Sequence, residues 1–310
     1  MKEKFHPQKL KPRLQSKKSK FFINGWFIAG IILLVYITKE IISSPFINQK
    51  ERINVVFYGR DTIFYSLGLA DNLNYLIYFY PDIKVVVPGG YGRYRVGGIK
   101  KLVNLEKKPE LFKKTFSLAT SSFIDYYFYL PGDQVYYGNN LEKDDNFLPP
   151  VQSFFFSCSN ARFFDRLYLF FNLITRKKSD FIRLKNQIEI VDQEKTISIN
   201  DQAKTYFGFF YKKTYRNEKA NVQIIYTKSD ETAVSISNII EGEGIRVVDF
   251  SFEKNKKTKE NCQIIYKNTS VLKSARGLAS FFNCQLTIGK PEISDIIFKL
   301  GKLEDEWAVN

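Results

Sequence analysis

The residues best equipped for chemistry lie in one short run, VVVPGGYGRYRVGG at positions 85–98. Glycine reaches positive φ without steric cost, so Gly89 and Gly90 can aim consecutive backbone N–H groups at one point. Arg93 and Arg95 are two apart and share a face wherever the chain is extended. Backbone N–H groups and two guanidiniums converging on one spot would hold a phosphate or pyrophosphate. The same residues also describe a glycine turn carrying two solvated arginines, and no phosphate-loop signature separates the two readings. Arg60-Asp61 adds a further cation, and Asp61, Asp71 and Asp82 offer hard oxygen ligands for Mg²⁺. All three aspartates also fall at expected loop edges, where forming turns is their commoner role.

Other chemistries are narrowed at once. The single histidine, His6, lies in the basic N-terminal tail, so a histidine-based triad is excluded beyond it. The three cysteines, Cys158, Cys262 and Cys284, have no zinc-site spacing.

The elements that must position the Gly-Arg run follow from its flanks. INVVFYG, closed by Gly59, predicts a buried strand, and LNYLIYFY and IKVVVP predict two more around a Pro81-Asp82 turn. Residues 99–123 space Leu102, Val103, Leu105, Leu111, Phe112 and Phe116 along one buried helical face, with Pro109 in the first turn of a second helix. IDYYFYL predicts a further strand, and residues 132–150 a loop. ARFFDRLYLFFNLIT, apolar on nearly every side, predicts a helix buried in an aromatic core. Its Arg162, Asp165 and Arg166 leave too short an uncharged run to span a bilayer. QIEIVDQEKTISIN alternates on both sides of residues 192–195 and predicts a hairpin.

Beyond RNEKAN the pattern changes to strand VQIIY, a helix over 231–242 and strand IRVVDF. Strand QIIYK, a helix over 270–283, strand QLTIG and a last run DIIFKLG follow. Two βαβ-like halves predict a small α+β domain of ferredoxin-like type. Cys262 and Cys284 each begin a strand of the second half. If those strands are parallel neighbours the sulfurs lie at the same end and a disulfide is sterically possible, beside the reading of two small buried apolar side chains. Cys158 is left over.

Of the +15 formal charge, residues 1–20 carry eight Lys/Arg against Glu3 alone. FFINGWFIAGIILLVYIT then runs uncharged over residues 21–38, roughly 27 Å as a helix and close to a bilayer's hydrocarbon thickness. Trp26 and Tyr36 lie toward its ends, where amphipathic rings favour the interface. This predicts a single-pass anchor with a cytoplasmic N-terminus, a stem over 39–52, and extracytoplasmic domains over 53–217 and 218–310. Such a topology, with much of the excess charge in a short tail, argues against nucleic acid as a partner.

A basic tail, one anchor, an α/β domain and a terminal βαβ domain together resemble the LytR-CpsA-Psr envelope proteins that carry a LytR C-terminal domain. The local likenesses are the segment from VVVPGGYGRYR through the IDYYFYL strand, and residues 220–301 with the closing DIIFKLGKLEDEW. The resemblance implies transfer of a polyprenyl-pyrophosphate-linked glycopolymer to the cell wall, with arginines, carboxylates and commonly a divalent metal gripping the pyrophosphate. This chain departs from the pattern where the grip should be. GLADNL keeps Asp71 but has Leu69 in the place of an arginine, and FYPDI keeps Asp82 but has Pro81 there. The expectation is therefore a membrane-anchored cell-envelope protein that binds wall glycopolymer, lipid-pyrophosphate carrier or a protein partner without efficient catalysis. The alternative is an active phosphotransferase whose guanidiniums have moved to Arg60, Arg93 and Arg95.

Overall fold

The computed structural model describes residues 18–48, 50–137, 147–254 and 262–309, with the side chains of the first helix from Phe27 onward. Residues separate into two compact units, Met1–Asn48 and Gln49–Asn310. The first contains α1 (Lys18–Ser43), whose large apolar side chains from Phe27 to Ile37 stand exposed. Among the described residues no helix is long and apolar enough to cross a membrane. The side chains of residues 21–26, the start of the expected span, lie outside that description, as does the basic tail 1–17.

Among the described residues the second unit is built on three sheets. The first has the order β7-β6-β1-β2-β3-β8, from β1 (Arg52–Tyr58), β2 (Thr62–Gly68), β3 (Asn74–Phe79), β6 (Tyr126–Tyr129), β7 (Cys158–Ser159) and β8 (Phe181–Leu184). β1 and β2 are buried along their whole length. Side chains of a strand alternate between faces, and here both faces are covered. Val56, Tyr58 and Phe64 join a core with α2 (Ile99–Glu106) and α3 (Glu110–Thr120). Ile53, Val55, Phe57, Ile63 and Tyr65 join another beneath α4 (Val151–Phe155) and α5 (Phe163–Ile174). Each such fully buried side chain contributes about 1.5–3 kcal/mol relative to exposure, which is why an uninterrupted apolar run folds as a central strand.

The second sheet joins β4 (Lys84–Val87) and β5 (Gly92–Arg95) to the hairpin of β9 (Ile188–Val191) and β10 (Glu194–Ile197). The hairpin turns on Asp192 and Gln193, both at positive φ, 50° and 64°, the backbone a two-residue turn needs to match strand twist. The third sheet has the order β12-β11-β15-β13-β14, from β11 (Asn221–Tyr226), β12 (Arg246–Phe252), β13 (Gln263–Tyr266), β14 (Gln285–Ile288) and β15 (Ile296–Lys299). α8 (Asp230–Gly242) connects β11 to β12, and α9 (Leu272–Phe282) connects β13 to β14.

Four features differ from the sequence expectation, the first being Leu105, expected on the buried face of α2 but 71% exposed. TIFYSLG forms β2, a strand not anticipated because Ser66 and Gly68 interrupt its apolar character. The C-terminal module is not ferredoxin-like: β11 and β12 are adjacent and parallel, as are β13 and β14, with β15 inserted between the pairs, whereas a ferredoxin-like fold splits each parallel pair. α5 is buried on only one side, through Asp165, Leu169 and Leu173.

Within the second unit the third sheet is separate from the other two, but the cores are shared. Val86, Leu118 and Phe123 pack into the same cluster as Ile224, Ile236, Phe282 and Phe298. Close approach is required where α8 ends, because a Cβ on Gly242 would collide with the carbonyl of Ser121.

Candidate functional site

The glycine turn is occupied from within. Gly89 and Gly90 have the expected positive φ, 93° and 79°, but their N–H groups donate to the Ala308 carbonyl at 2.9 and 3.2 Å. The backbone donors that would cradle an anion are thus satisfied by the chain's own C-terminal segment. Arg93 and Arg95 do share the exposed face of β5, and Arg95 donates to Glu194 at 2.8 Å.

The other expected site residues do not converge. Arg60, exposed, and Asp61, half-buried and engaged, lie in the turn between β1 and β2. Asp71 follows the far end of the same hairpin, where it accepts from Arg52 at 3.0 and 3.2 Å. Register pairs Arg52 with Gly68 at one end and Phe57 with Ile63 at the other, so about 20 Å of strand separates Asp61 from Asp71. Asp82 is paired with Lys195 at 2.8 Å. Among the described residues no group of three or more His, Cys, Asp or Glu is placed to hold a metal ion, and this aspartate set does not fit Mg²⁺.

Cys262 and Cys284 immediately precede β13 and β14, whose parallel register pairs Gln263 with Gln285. The two cysteines are therefore neighbours, joined as a disulfide with Cα atoms 4.8 Å apart. Cys158 is free and exposed.

Charge gathers elsewhere, in a cleft of about 440 Å³ in the second unit. Its walls include Lys50, Lys113, Phe123, Asp125 and Lys212 from one side, and Tyr215, Ser280 and Phe281 near the other. Asp125 is fixed at the mouth of β6 by backbone pairing: its N–H donates to Asn54 O at 2.9 Å and its Oδ2 accepts from Asn54 N at 3.0 Å. Its Oδ1 accepts from Lys50 at 2.9 Å. Burial opposes ionisation of Asp125, but Lys50 and Lys212 outweigh it and hold the carboxyl below its ordinary range.

Lys212 precedes α7 (Lys213–Glu218) and lies 3.0 Å from Glu243 Oε2, which is wholly buried. Burial opposes the charge on Lys212, and Glu243 and Asp125 overcome it, raising its pKa. Glu243 Oε1 accepts from the Phe123 N–H at 2.6 Å, tying the end of α8 to the segment before β6. Glu51 is likewise committed, accepting from Thr214 N at 2.9 Å and from its hydroxyl.

Lys113 differs from the other two lysines. It projects from α3 and donates to the Phe281 carbonyl at 3.1 Å, with its ammonium 4.1 Å from the centroid of the Phe281 ring. Phe281 in turn stacks on Phe123 at 4.0 Å. Burial lowers Lys113 to about 8, with Asp125 opposing and Lys114, Lys50 and Lys212 reinforcing the fall. The arrangement places an ammonium with a carbonyl and a ring as partners in a cleft whose carboxylates are already engaged. A phosphate or carboxylate entering there gains charge-assisted hydrogen bonds and adds a directly bonded counter-charge to the more distant one that Asp125 gives Lys113. Nothing in the sequence pattern flagged these lysines, because they come from three distant segments.

Comparison with known proteins adds little. No family model and no curated protein matches the sequence. Two solved structures align with it: a transcriptional regulator from Enterococcus faecalis, at 9% identity and TM-score 0.36 over 64% of this chain and 90% of the other, and a fragment of a proposed transcriptional factor from Listeria monocytogenes, at 11% identity and TM-score 0.23 over 75% and 97%. Both likenesses are too slight to carry fold or function.

Proposed function

We propose that the protein is a membrane-anchored cell-envelope binding protein, with LytR-CpsA-Psr-like organisation, whose extracytoplasmic unit holds a phosphate-bearing ligand in the three-lysine cleft. The observation that carries this reading is the convergence of Lys50, Lys113 and Lys212 on one cavity, with Lys113 donating to a carbonyl rather than a carboxylate. The cavity is large enough for a phosphorylated sugar. Placement outside the membrane is supported by the uncharged run over residues 21–38 behind a basic tail and by the Cys262–Cys284 disulfide, a linkage that persists in oxidising compartments. Binding without transfer is supported by the occupied glycine turn and the dispersed aspartates.

Titration of the detergent-solubilised full chain with inorganic pyrophosphate tests the cleft. Binding weakened at least tenfold by Lys113→Gln supports the reading, and absence of binding by the unsubstituted chain refutes it. Turnover of a lipid-pyrophosphate glycan with Mg²⁺, abolished by Arg60→Ala or Arg93→Ala, would replace it with the phosphotransferase alternative. Labelling of Cys158 in intact cells by a membrane-impermeant maleimide tests the topology, which fails if labelling requires permeabilised cells.

A further inference from the structure

We propose that α5 is an interfacial helix that lays an apolar stripe on an anionic lipid surface. The inner side of α5 is anchored by Leu169 and Leu173 in the core beneath β1 and β2. Phe170 packs against Phe154 and Phe155, with ring centroids 5.5 and 5.4 Å away. The opposite side is not polar. Phe163, Leu167, Phe171 and Ile174 follow one another at spacings of four, four and three residues, one stripe along a helix. Phe163 is 61% exposed, Phe171 53% and Ile174 49%. Single exposed apolar residues are ordinary, but an aromatic stripe the length of a three-turn helix marks an interaction surface.

The charges around the stripe choose its occupant. Arg162 stands exposed at one end, with Lys177 and Lys178 at the other. The one carboxylate on the helix, Asp165, is turned inward and accepts the Arg162 N–H at 3.0 Å. Beyond the C-terminal end, Asp180 accepts the Lys177 N–H at 2.8 Å. A second copy of the chain docked stripe to stripe would bring cationic ends against cationic ends in either orientation. Anionic headgroups flanking an apolar layer satisfy both features at once, the cations in the headgroup region and the rings several ångströms deeper. This surface is separate from the lysine cleft, and its assignment does not depend on the cleft's ligand.

The test uses the full chain with Cys158→Ser and a spin label at Phe171→Cys, reconstituted with vesicles of phosphatidylcholine containing about 30% phosphatidylglycerol, a typical anionic surface. Collision with oxygen exceeding collision with a water-soluble nickel chelate is the expected result, reversed when Arg162, Lys177 and Lys178 are all changed to Glu. A label open to the nickel chelate in the parent chain overturns the proposal. So does a label shielded from both reagents in particles that hold two copies. Carbonate-resistant association reports the α1 anchor separately. If that anchor fails, flotation of the full chain with these vesicles rests on α5, and flotation unchanged by Phe163→Asp/Phe171→Asp overturns the proposal.

Discussion

Two cationic regions of this protein look alike in composition and differ in physics. The glycine turn between β4 and β5 offers N–H groups and arginines, yet its donors are spent on the Ala308 carbonyl and its arginines stand in water, where Arg95 pairs with Glu194. The cleft has lysines as its cations, beside Asp125 and Glu51 that are already engaged, and one of these lysines is largely withdrawn from solvent and donates to a carbonyl rather than a carboxylate. Solvated guanidiniums lose little when a ligand is absent. A buried ammonium is penalised until an anion arrives. The capacity to bind therefore lies in unmet electrostatic demand rather than in the number of cations.

The comparison breaks most visibly if Glu243 is removed. Glu243→Ala leaves Lys212 and the Phe123 N–H buried without their acceptor, and urea denaturation should report a loss of about 3–5 kcal/mol. Reduction of the Cys262–Cys284 bridge, which closes a loop across α9 and so braces the cleft wall carrying Phe281, should lower stability by about 3 kcal/mol in the same assay.

Lys113 sharpens the contrast through pH. Its folded pKa of about 8 lies below the ordinary lysine value of 10.5, so the unfolded chain binds more protons between the two values and stability rises with pH across that window. The penalty is fully present below pH 8. Thermal or urea unfolding should show a gain of about 2 kcal/mol between pH 7.5 and 9.5 from this group, abolished in Lys113→Met, which should also be the more stable chain at neutral pH. Asp125 and Lys212 face the same ammonium, and with the first held below and the second above its ordinary value neither changes charge in this window. The smallest effect belongs to the glycine turn: Arg93→Ala and Arg95→Ala should each change stability by less than about 0.5 kcal/mol and leave pyrophosphate titration unaltered.

How much of this was legible in the sequence depends on whether the signal is local. INVVFYG, LNYLIYFY and the residues 99–123 announced β1, β3, α2 and α3, because continuous apolar runs and helical spacing report burial directly. A disulfide between Cys262 and Cys284 is one of two readings the sequence leaves open, beside two small buried apolar side chains, since parallel neighbouring strands would place equivalent ends together. α5 was misjudged because an all-round apolar helix reads as core, and composition does not say that only the Leu169–Leu173 side meets the sheet. The cleft was invisible for a stronger reason. Lys50, Lys113 and Lys212 are ordinary lysines until the fold brings the approach to β1, α3 and the approach to α7 to one cavity against Phe281, and it is the partner that distinguishes Lys113, facing a carbonyl and a ring, from Lys114 beside it, paired with Glu306 at 2.8 Å.

A crystal structure of the full chain grown with pyrophosphate decides between the two regions. The ligand is expected in the cleft, within hydrogen-bonding distance of Lys113 and at least one of Lys50 and Lys212. Pyrophosphate bound instead at Gly89 and Gly90, with the Ala308 carbonyl displaced and Arg93 or Arg95 turned onto it, would make the glycine turn the binding site and overturn the proposal.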